Sequence, residues 1–363
     1  MLFRCSKCGR TMPVTTAIPK CECGGLWDID WEIPSFEESL IDTNIWGMFR
    51  YHNFMALDDN ACKDITLGEG FTPVIYLDNI LYKMDYMMPT LSFKDRGAAV
   101  LISHCKSIGV KSVVQDSSGN AGCSVAAYSA RAGINCTIYV PEGTPRNKIN
   151  MITSYGAKVV TVEGDRDHCA DICREAALKS DVYYANHVYN PFFYEGTKTY
   201  IYEVFEQLHR IPEHLVIPVG NGTLFLGCVY ALEHLQKSSQ IDHFPHIIAV
   251  QSEYCDPLFR AAEIGSNKPV SYSFLPTLAE GIAIGRPMRG KEILRLAYKH
   301  NVTFVHAPEG EIKKAKEYLA NNGLYIEETT AANLAGFREY CRINGDVKDC
   351  LITLCGSGLK TAD

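Results

Sequence analysis

No apolar run in this 363-residue chain approaches the ~18 to 20 residues that span a bilayer, so no membrane partner is expected. The opening residues, Met-Leu-Phe-Arg-Cys-Ser-Lys-Cys, contain no apolar h-region, and we expect no secretory signal. Basic residues are in deficit, 35 against 42 acidic ones, for a net charge of −7. A surface of that sign repels phosphate backbones, which argues against a nucleic-acid partner. Internal repeats and low-complexity tracts are also missing. With 47% hydrophobic and 21% charged residues, the composition excludes a disordered, collagen-like or coiled-coil chain. At roughly 150 residues per domain, the length accommodates about two domains with real cores and a small appendage.

What is abundant is cysteine: fifteen residues, most of them in segments that read as buried helices and strands. There a free thiol behaves as a small hydrophobe, and a reducing, cytoplasmic setting is the consistent expectation. The first four differ. Cys5-Ser-Lys-Cys8 is followed, after twelve residues, by Cys21-Glu-Cys23-Gly24-Gly25. Two cysteine pairs on tight turns can gather four thiolates around one tetrahedral zinc, and no nearby histidine suggests an open catalytic position. We expect a structural zinc-ribbon-like segment over 1–33 with Cys5, Cys8, Cys21 and Cys23 as ligands.

Residues about 26 to 65, with Trp27, Trp31, Trp46 and Tyr51, read as a wrapping arm. Further on, β-branched runs alternate with helical segments, the pattern of parallel sheets covered by helices. Expected strands are 112–115, 136–140, 158–162, 215–219, 246–251, 302–306 and 350–354. Expected helices are 121–132, 146–154, 166–178, 195–209, 224–236, 311–321 and 331–342, several stopping at a glycine such as Gly133, Gly156 or Gly323. That is more strands than one compact sheet needs. An α/β fold of two lobes is therefore expected, with ligands at the carboxyl ends of strands.

Three strand-to-helix turns offer free helix amides to an anion. Asp116-Ser117-Ser118-Gly119-Asn120-Ala121-Gly122 presents hydroxyls and amides suited to a carboxylate, and Asn120 suits a ring hydroxyl. Gly220-Asn221-Gly222-Thr223 allows close backbone approach and adds a hydroxyl, which suits a phosphate monoester. Cys355-Gly356-Ser357-Gly358-Leu359-Lys360 follows the last strand. Each turn alone is an ordinary tight turn. A fourth feature, Leu91-Ser92-Phe93-Lys94-Asp95-Arg96-Gly97, places Lys94 at the start of an expected helix.

In that chain order, these four segments resemble the fold type II pyridoxal-phosphate enzymes of the tryptophan-synthase-β family. The resemblance runs from about 66 to 360 and is most specific for threonine synthases. Leu67-Gly68-Glu69-Gly70-Phe71-Thr72-Pro73 resembles their G-E-G-x-T-P. Asn190-Pro191 with Glu195-Gly196-Thr197-Lys198-Thr199 resembles their N-P-x-x-x-E-G-x-K-T, and Gly356–Lys360 resembles their G-H-G-L-K with its second residue changed. It implies a two-lobed fold: 34–92 with 196–363 as a large α/β domain, and 93–195 as a smaller one. It implies pyridoxal 5'-phosphate as cofactor, Lys94 as its Schiff-base lysine, and Ser117, Ser118, Gly119 and Asn120 on substrate carboxylate and ring hydroxyl. Gly220, Asn221, Gly222 and Thr223 would hold the cofactor phosphate, and Ser357 would face the pyridine nitrogen. A zinc-ribbon-like N-terminus occurs in some of these proteins, and many relatives are homodimers, so a homodimer is expected.

The implied activity is a threonine-synthase-type lyase of amino-acid biosynthesis, taking a small amino-acid substrate, O-phospho-L-homoserine. Its phosphate needs a second anion site. Where hydroxyl and guanidinium groups are expected, this chain has Ala121, Ile152 and Phe193, leaving Lys148 and Lys158 to supply positive charge. Alternatives are β-elimination, as in a serine or threonine ammonia-lyase, or β-replacement, as in a cysteine or cysteate synthase. From a different class comes a non-catalytic zinc-ribbon protein that binds partners.

Overall fold

The structure, a computed structural model, describes residues 1–15, 17–57, 61–164, 166–179 and 182–360. Parts of the expected domain ranges, at 16, 58–60, 165, 180–181 and 361–363, lie outside the described residues. The chain divides into two compact units, Met1–Glu69 with Lys94–Thr197, and Gly70–Phe93 with Lys198–Asp363.

In the first unit, the described residues form a parallel sheet in the order Lys158–Val162, Asn135–Pro141, Ser112–Gln115, Tyr183–Tyr184. Helices Asn120–Ala132, Arg146–Ser154 and Arg166–Lys179 connect its strands. The glycine stop after the first of these is real: Gly133 takes φ 70, a left-handed value that costs glycine nothing. A separate antiparallel sheet, Thr11–Pro13, Leu2–Cys5 and Trp27–Asp30, forms the N-terminal appendage. Phe3 stacks on Trp27 at 6.2 Å and meets Phe192 edge-on at 5.9 Å. His104 stacks on the other side of that contact, 3.6 Å from Phe192, and donates from Nε2 to the Val14 carbonyl at 3.1 Å. Burial pushes His104 down to about 4, so this wedge is neutral.

The second unit holds a six-stranded sheet in the order Thr303–Ala307, His246–Ser252, His214–Pro218, Cys350–Thr353, Ile80–Lys83, Val74–Leu77. All neighbours are parallel except the last hairpin. Its turn, Asp78-Asn79, has positive φ at both residues (49 and 63), the signature of a type I′ turn. Ile248, Val250 and Ile352 of the sheet share a core with Ala331 and Ala335 of helix Glu328–Asn344. Lys83 and Glu203, both fully buried, pair at 2.8 Å, and Lys83 Nζ also donates to the Thr72 carbonyl and Gln207 Oε1. No helix among the described residues is long and apolar enough to cross a membrane.

Two boundaries differ from expectation. The stretch 34–92 does not belong wholly to the larger domain, because its first part packs with the first unit, up to Glu69. Glu195 Oε2 accepts from the Ala56 amide at 2.7 Å, and Glu69 accepts from Tyr128 OH at 2.9 Å. The helix expected over 195–209 is two, Phe192–Thr197 and Thr199–Leu208, with the unit boundary falling between Thr197 and Lys198. Helices Pro257–Glu263 and Gly290–Lys299 and the Val74–Lys83 hairpin were not legible as elements in the sequence.

Candidate active site

Lys94 is the first residue of helix Lys94–Ser107, and the residues before it are tightly fixed. The Phe93 amide donates to the Cys355 carbonyl at 2.9 Å, Ser92 bridges Gly356, and the Ser357 amide donates to the Leu91 carbonyl at 3.0 Å. The segment leading into Lys94 is thus tied to the Ser357 loop by one antiparallel bridge and two flanking backbone bonds. Ser92 Oγ is buried there without a hydrogen-bond partner. Behind Lys94, buried Asp95 accepts from Ser124 of helix Asn120–Ala132. The N-P-x-x-x-E-G segment has a packing role in the same unit. Asn190 Oδ1 accepts from the Phe192 amide, and Gly196 lies so close to the Arg96 carbonyl that any Cβ would collide. Phe193 lies over Gly97 in the same way. These glycines let the two helices approach closely, which fixes where Lys94 starts.

The Ser117–Asn120 turn leaves the carboxyl end of Ser112–Gln115. It is tight, since a Cβ on Gly122 would overlap the Ser117 carbonyl, and Ser117 Oγ accepts from the Gly119 amide at 3.3 Å. Gly119 sits in the cap position of helix Asn120–Ala132 and has no side chain to occupy its first amides. Asp116, just before the turn, is pinned by Asn186 Nδ2 at 2.6 Å and Tyr184 OH at 2.9 Å. Burial raises its carboxyl above the usual range despite these bonds.

Gly220–Thr223 and Ser357 leave neighbouring parallel strands, His214–Pro218 and Cys350–Thr353, at the same end of the second unit's sheet. Gly222 has φ 76 and caps the fifteen-residue helix Thr223–Lys237, a conformation that favours glycine. A Cβ on Gly220 would lie 3.0 Å from the Ile282 Cα. Both glycines therefore form a backbone cradle at a helix start, the kind of site that fits a phosphate. Ser357 is 2% exposed, and its Oγ accepts from the Leu359 amide at 3.3 Å, leaving its proton available to a ring nitrogen. Thr330 Oγ1 holds both the amide and the carbonyl of Gly356. Lys360 is a buried clamp that donates to the Thr90 carbonyl at 2.5 Å.

Not every expected residue joins these loops. Lys148 is partly buried in the first turn of helix Arg146–Ser154. Lys158 is exposed and opens its strand, at the end of the parallel sheet opposite to the Ser117–Asn120 turn. Ala121, Ile152 and Phe193 are buried rather than presented as surface. Two side chains were missed. Gln115 Nε2 donates to His187 Nδ1 at 3.4 Å, and His187 meets Phe193 edge-on at 5.8 Å. Burial, with the charge of Lys94 nearby, pushes His187 down to about 3. Nothing in the local sequence pattern marks either one, since each simply ends a strand or follows it.

In the appendage, the Cys5, Cys8, Cys21 and Cys23 sulfurs all lie within 4.8 Å of one another. Cys5 and Cys23 are 3.5 Å apart, and Cys8 and Cys21 3.7 Å. A tetrahedron with Zn–S bonds of about 2.3 Å has edges of about 3.8 Å, so the spacing fits zinc. A Cβ on Gly25 would sit 2.5 Å from Cys5 Sγ, which explains glycine beside the C-x-C pair. Burial alone would raise the Cys5 thiol. The Cys8 and Lys7 amides and the Cys23 and Cys8 thiols outweigh it and bring it down to about 7. None of the fifteen cysteines, all among the described residues, forms a disulfide, and most are buried.

Residues 65–356 match the family described as pyridoxal-phosphate dependent enzyme, and the chain belongs to that family. It is a threonine-synthase-like member of the fold type II group and a pyridoxal-phosphate-dependent lyase. It is 31% identical to a threonine synthase of Methanocaldococcus jannaschii, over 100% of this chain and 94% of that one. A threonine synthase of Halalkalibacterium halodurans is 32% identical over 85% of this chain and 88% of its own. Among solved structures, the processed form of threonine deaminase isoform 2 from Solanum lycopersicum superposes with TM-score 0.70 at 20% identity, covering 95% of this chain and 91% of that one. Maize serine racemase gives TM-score 0.70 at 18% identity, covering 79% and 88%. At those identities the structures establish the shared fold alone.

Proposed function

We propose that the protein converts O-phospho-L-homoserine and water to L-threonine and phosphate. The observation that carries this reading is the full-length likeness to the M. jannaschii protein, which extends through the cysteine cluster as well as the enzyme body. The Gly220–Thr223 cradle and the neighbouring Ser357 loop suit the family's cofactor. When bound, pyridoxal phosphate supplies an electron sink conjugated to the α-carbon of the substrate. In this reading Lys94 would hold the cofactor through Nζ, and that amine would be the base for the substrate's α-proton. Gly220, Asn221, Gly222 and Thr223 would hold the cofactor phosphate, Asn120 its ring hydroxyl, and Ser357 would donate to its ring nitrogen. A neutral hydroxyl there would leave that nitrogen unprotonated, which suits elimination and replacement. The Ser117, Ser118 and Gly119 groups at a helix start hold the substrate carboxylate, and Lys148 is the cation for the substrate's own phosphate.

Buried Ala121, Ile152 and Phe193 favour a second reading, elimination or replacement on an unphosphorylated amino acid. Each charge-assisted bond to a phosphate is worth about 1.5–3 kcal/mol, so losing two weakens binding by about a hundredfold or more. Side-by-side kinetics with O-phosphohomoserine, O-phosphoserine, O-acetylserine, serine and threonine separate the two. Threonine and phosphate from phosphohomoserine are expected; ammonia and a 2-oxo acid from serine or threonine alone would overturn the leading reading.

The four N-terminal thiols are proposed to hold one structural zinc. Metal analysis is expected to find one zinc per chain, lost in Cys5→Ser/Cys8→Ser. Melting temperature should fall more than turnover, because structural zinc contributes folding energy. Unchanged zinc in the double variant, or none in the native protein, contradicts this.

A further inference from the structure

We propose that His187 is a specificity-determining residue, its Nε2–H donating to an oxygen on the side chain of the amino-acid substrate, with Gln115 as the positioning residue that orients the ring. The inference rests on the reading that Lys94 is the cofactor lysine.

The backbone around His187 is fixed from both sides. The Ala185 amide donates to the Val114 carbonyl, bringing 186–187 out of the sheet at the same end as the Ser117–Asn120 turn. Asn186 is held by Asp116, and its Oδ1 accepts from the Val188 and Tyr189 amides. The ring is then set by Gln115 on Nδ1 and by the edge-on Phe193 ring. With Nδ1 accepting, the neutral ring carries its proton on Nε2, which has no hydrogen-bond partner among the described residues. His187 keeps part of its surface accessible, whereas Gln115, Asn186 and Phe193 around it are buried. A donor is thus presented from an otherwise closed wall, against the Phe193 ring that also covers Gly97, three residues from Lys94.

Gln115 supplies a second, independent observation. It is fully buried, and its Oε1 has no partner. A buried, half-satisfied amide detracts from stability, and an aliphatic side chain would serve the core better at this position. Among the described residues its one side-chain bond is to His187 Nδ1, so its retention is explained by the orientation of that ring.

The test uses the holoenzyme and pairs of amino acids in which one side-chain hydroxyl is removed, threonine against 2-aminobutyrate, or replaced by methyl, homoserine against norvaline. Dissociation constants come from titrating the absorbance of the bound cofactor, and folding from thermal melting. His187→Ala is expected to weaken the oxygen-bearing member of each pair about tenfold while leaving the other within about twofold. His187→Asn, which keeps a donor, recovers part of that loss. Gln115→Leu should reproduce the loss of discrimination with an unchanged or higher melting temperature. Equal weakening of both members with the cofactor band intact overturns the inference alone. So does a Gln115→Leu variant that melts lower and discriminates normally. Absence of a Lys94-dependent band in the native protein overturns the cofactor assignment and this inference with it.

Discussion

Lys94→Ala is expected to abolish turnover, by about a thousandfold or more, because it removes both the cofactor's attachment point and the proposed base. The fold should survive. Lys94 opens its helix at a partly exposed position, and its backbone is set by neighbours that do not use the lysine amine. Those are the Phe93–Cys355 bond, the Ser124–Asp95 bond and the Gly97 and Gly196 contacts. A stability change within about 1 kcal/mol is expected for such a site. Steady-state kinetics and thermal melting of the variant check both halves. Near-native activity would sink the assignment, and loss of folding would show that Lys94 has a structural role.

The largest stability effect is expected at Lys83, inside the second unit. Lys83→Met removes the cation that pairs with the fully buried Glu203 carboxylate at 2.8 Å and one of two donors to the Thr72 carbonyl, Gln207 Nε2 being the other. Breaking one partner of such a pair costs about 3–5 kcal/mol. For a unit of this size that is a drop of about 6–20 °C in melting temperature. Replacing both partners, Lys83→Met with Glu203→Leu, should recover much of it, since no unpaired charge remains. A single-variant shift below about 1 kcal/mol would contradict this account of the pair.

Most parallel strands and the helices between them were legible because their β-branched and apolar runs are bounded by turn residues, with glycine stops such as Gly133 and Gly156. Lys158–Val162 and Arg146–Ser154 fall where the pattern puts them. The Val74–Lys83 hairpin was missed because its turn is Asp78-Asn79 rather than a glycine turn, so its positive φ values leave no strong sequence mark. Reading Glu195–His209 as one helix was natural from periodicity. The division at Lys198 reflects which residues pack together, and periodicity carries no information about that. Ser117–Asn120, Gly220–Thr223 and Ser357 were recognisable because a phosphate or carboxylate site uses backbone amides, and glycine and serine mark where amides are accessible. His187 and Gln115 were invisible for the opposite reason. Their pairing depends on two strands, distant in sequence, lying side by side. Lys158 shows the limit of reading charge without topology: the right residue type stands at the wrong end of its strand.

The central claim is that this chain carries pyridoxal phosphate on Lys94. Reductive trapping of the purified protein with borohydride, followed by peptide mapping, tests it most directly. The expected result is a single modified peptide with the cofactor on Lys94, absent from Lys94→Ala. A cofactor trapped on another lysine, such as Lys148 or Lys360, or no trapped cofactor at all, would contradict it.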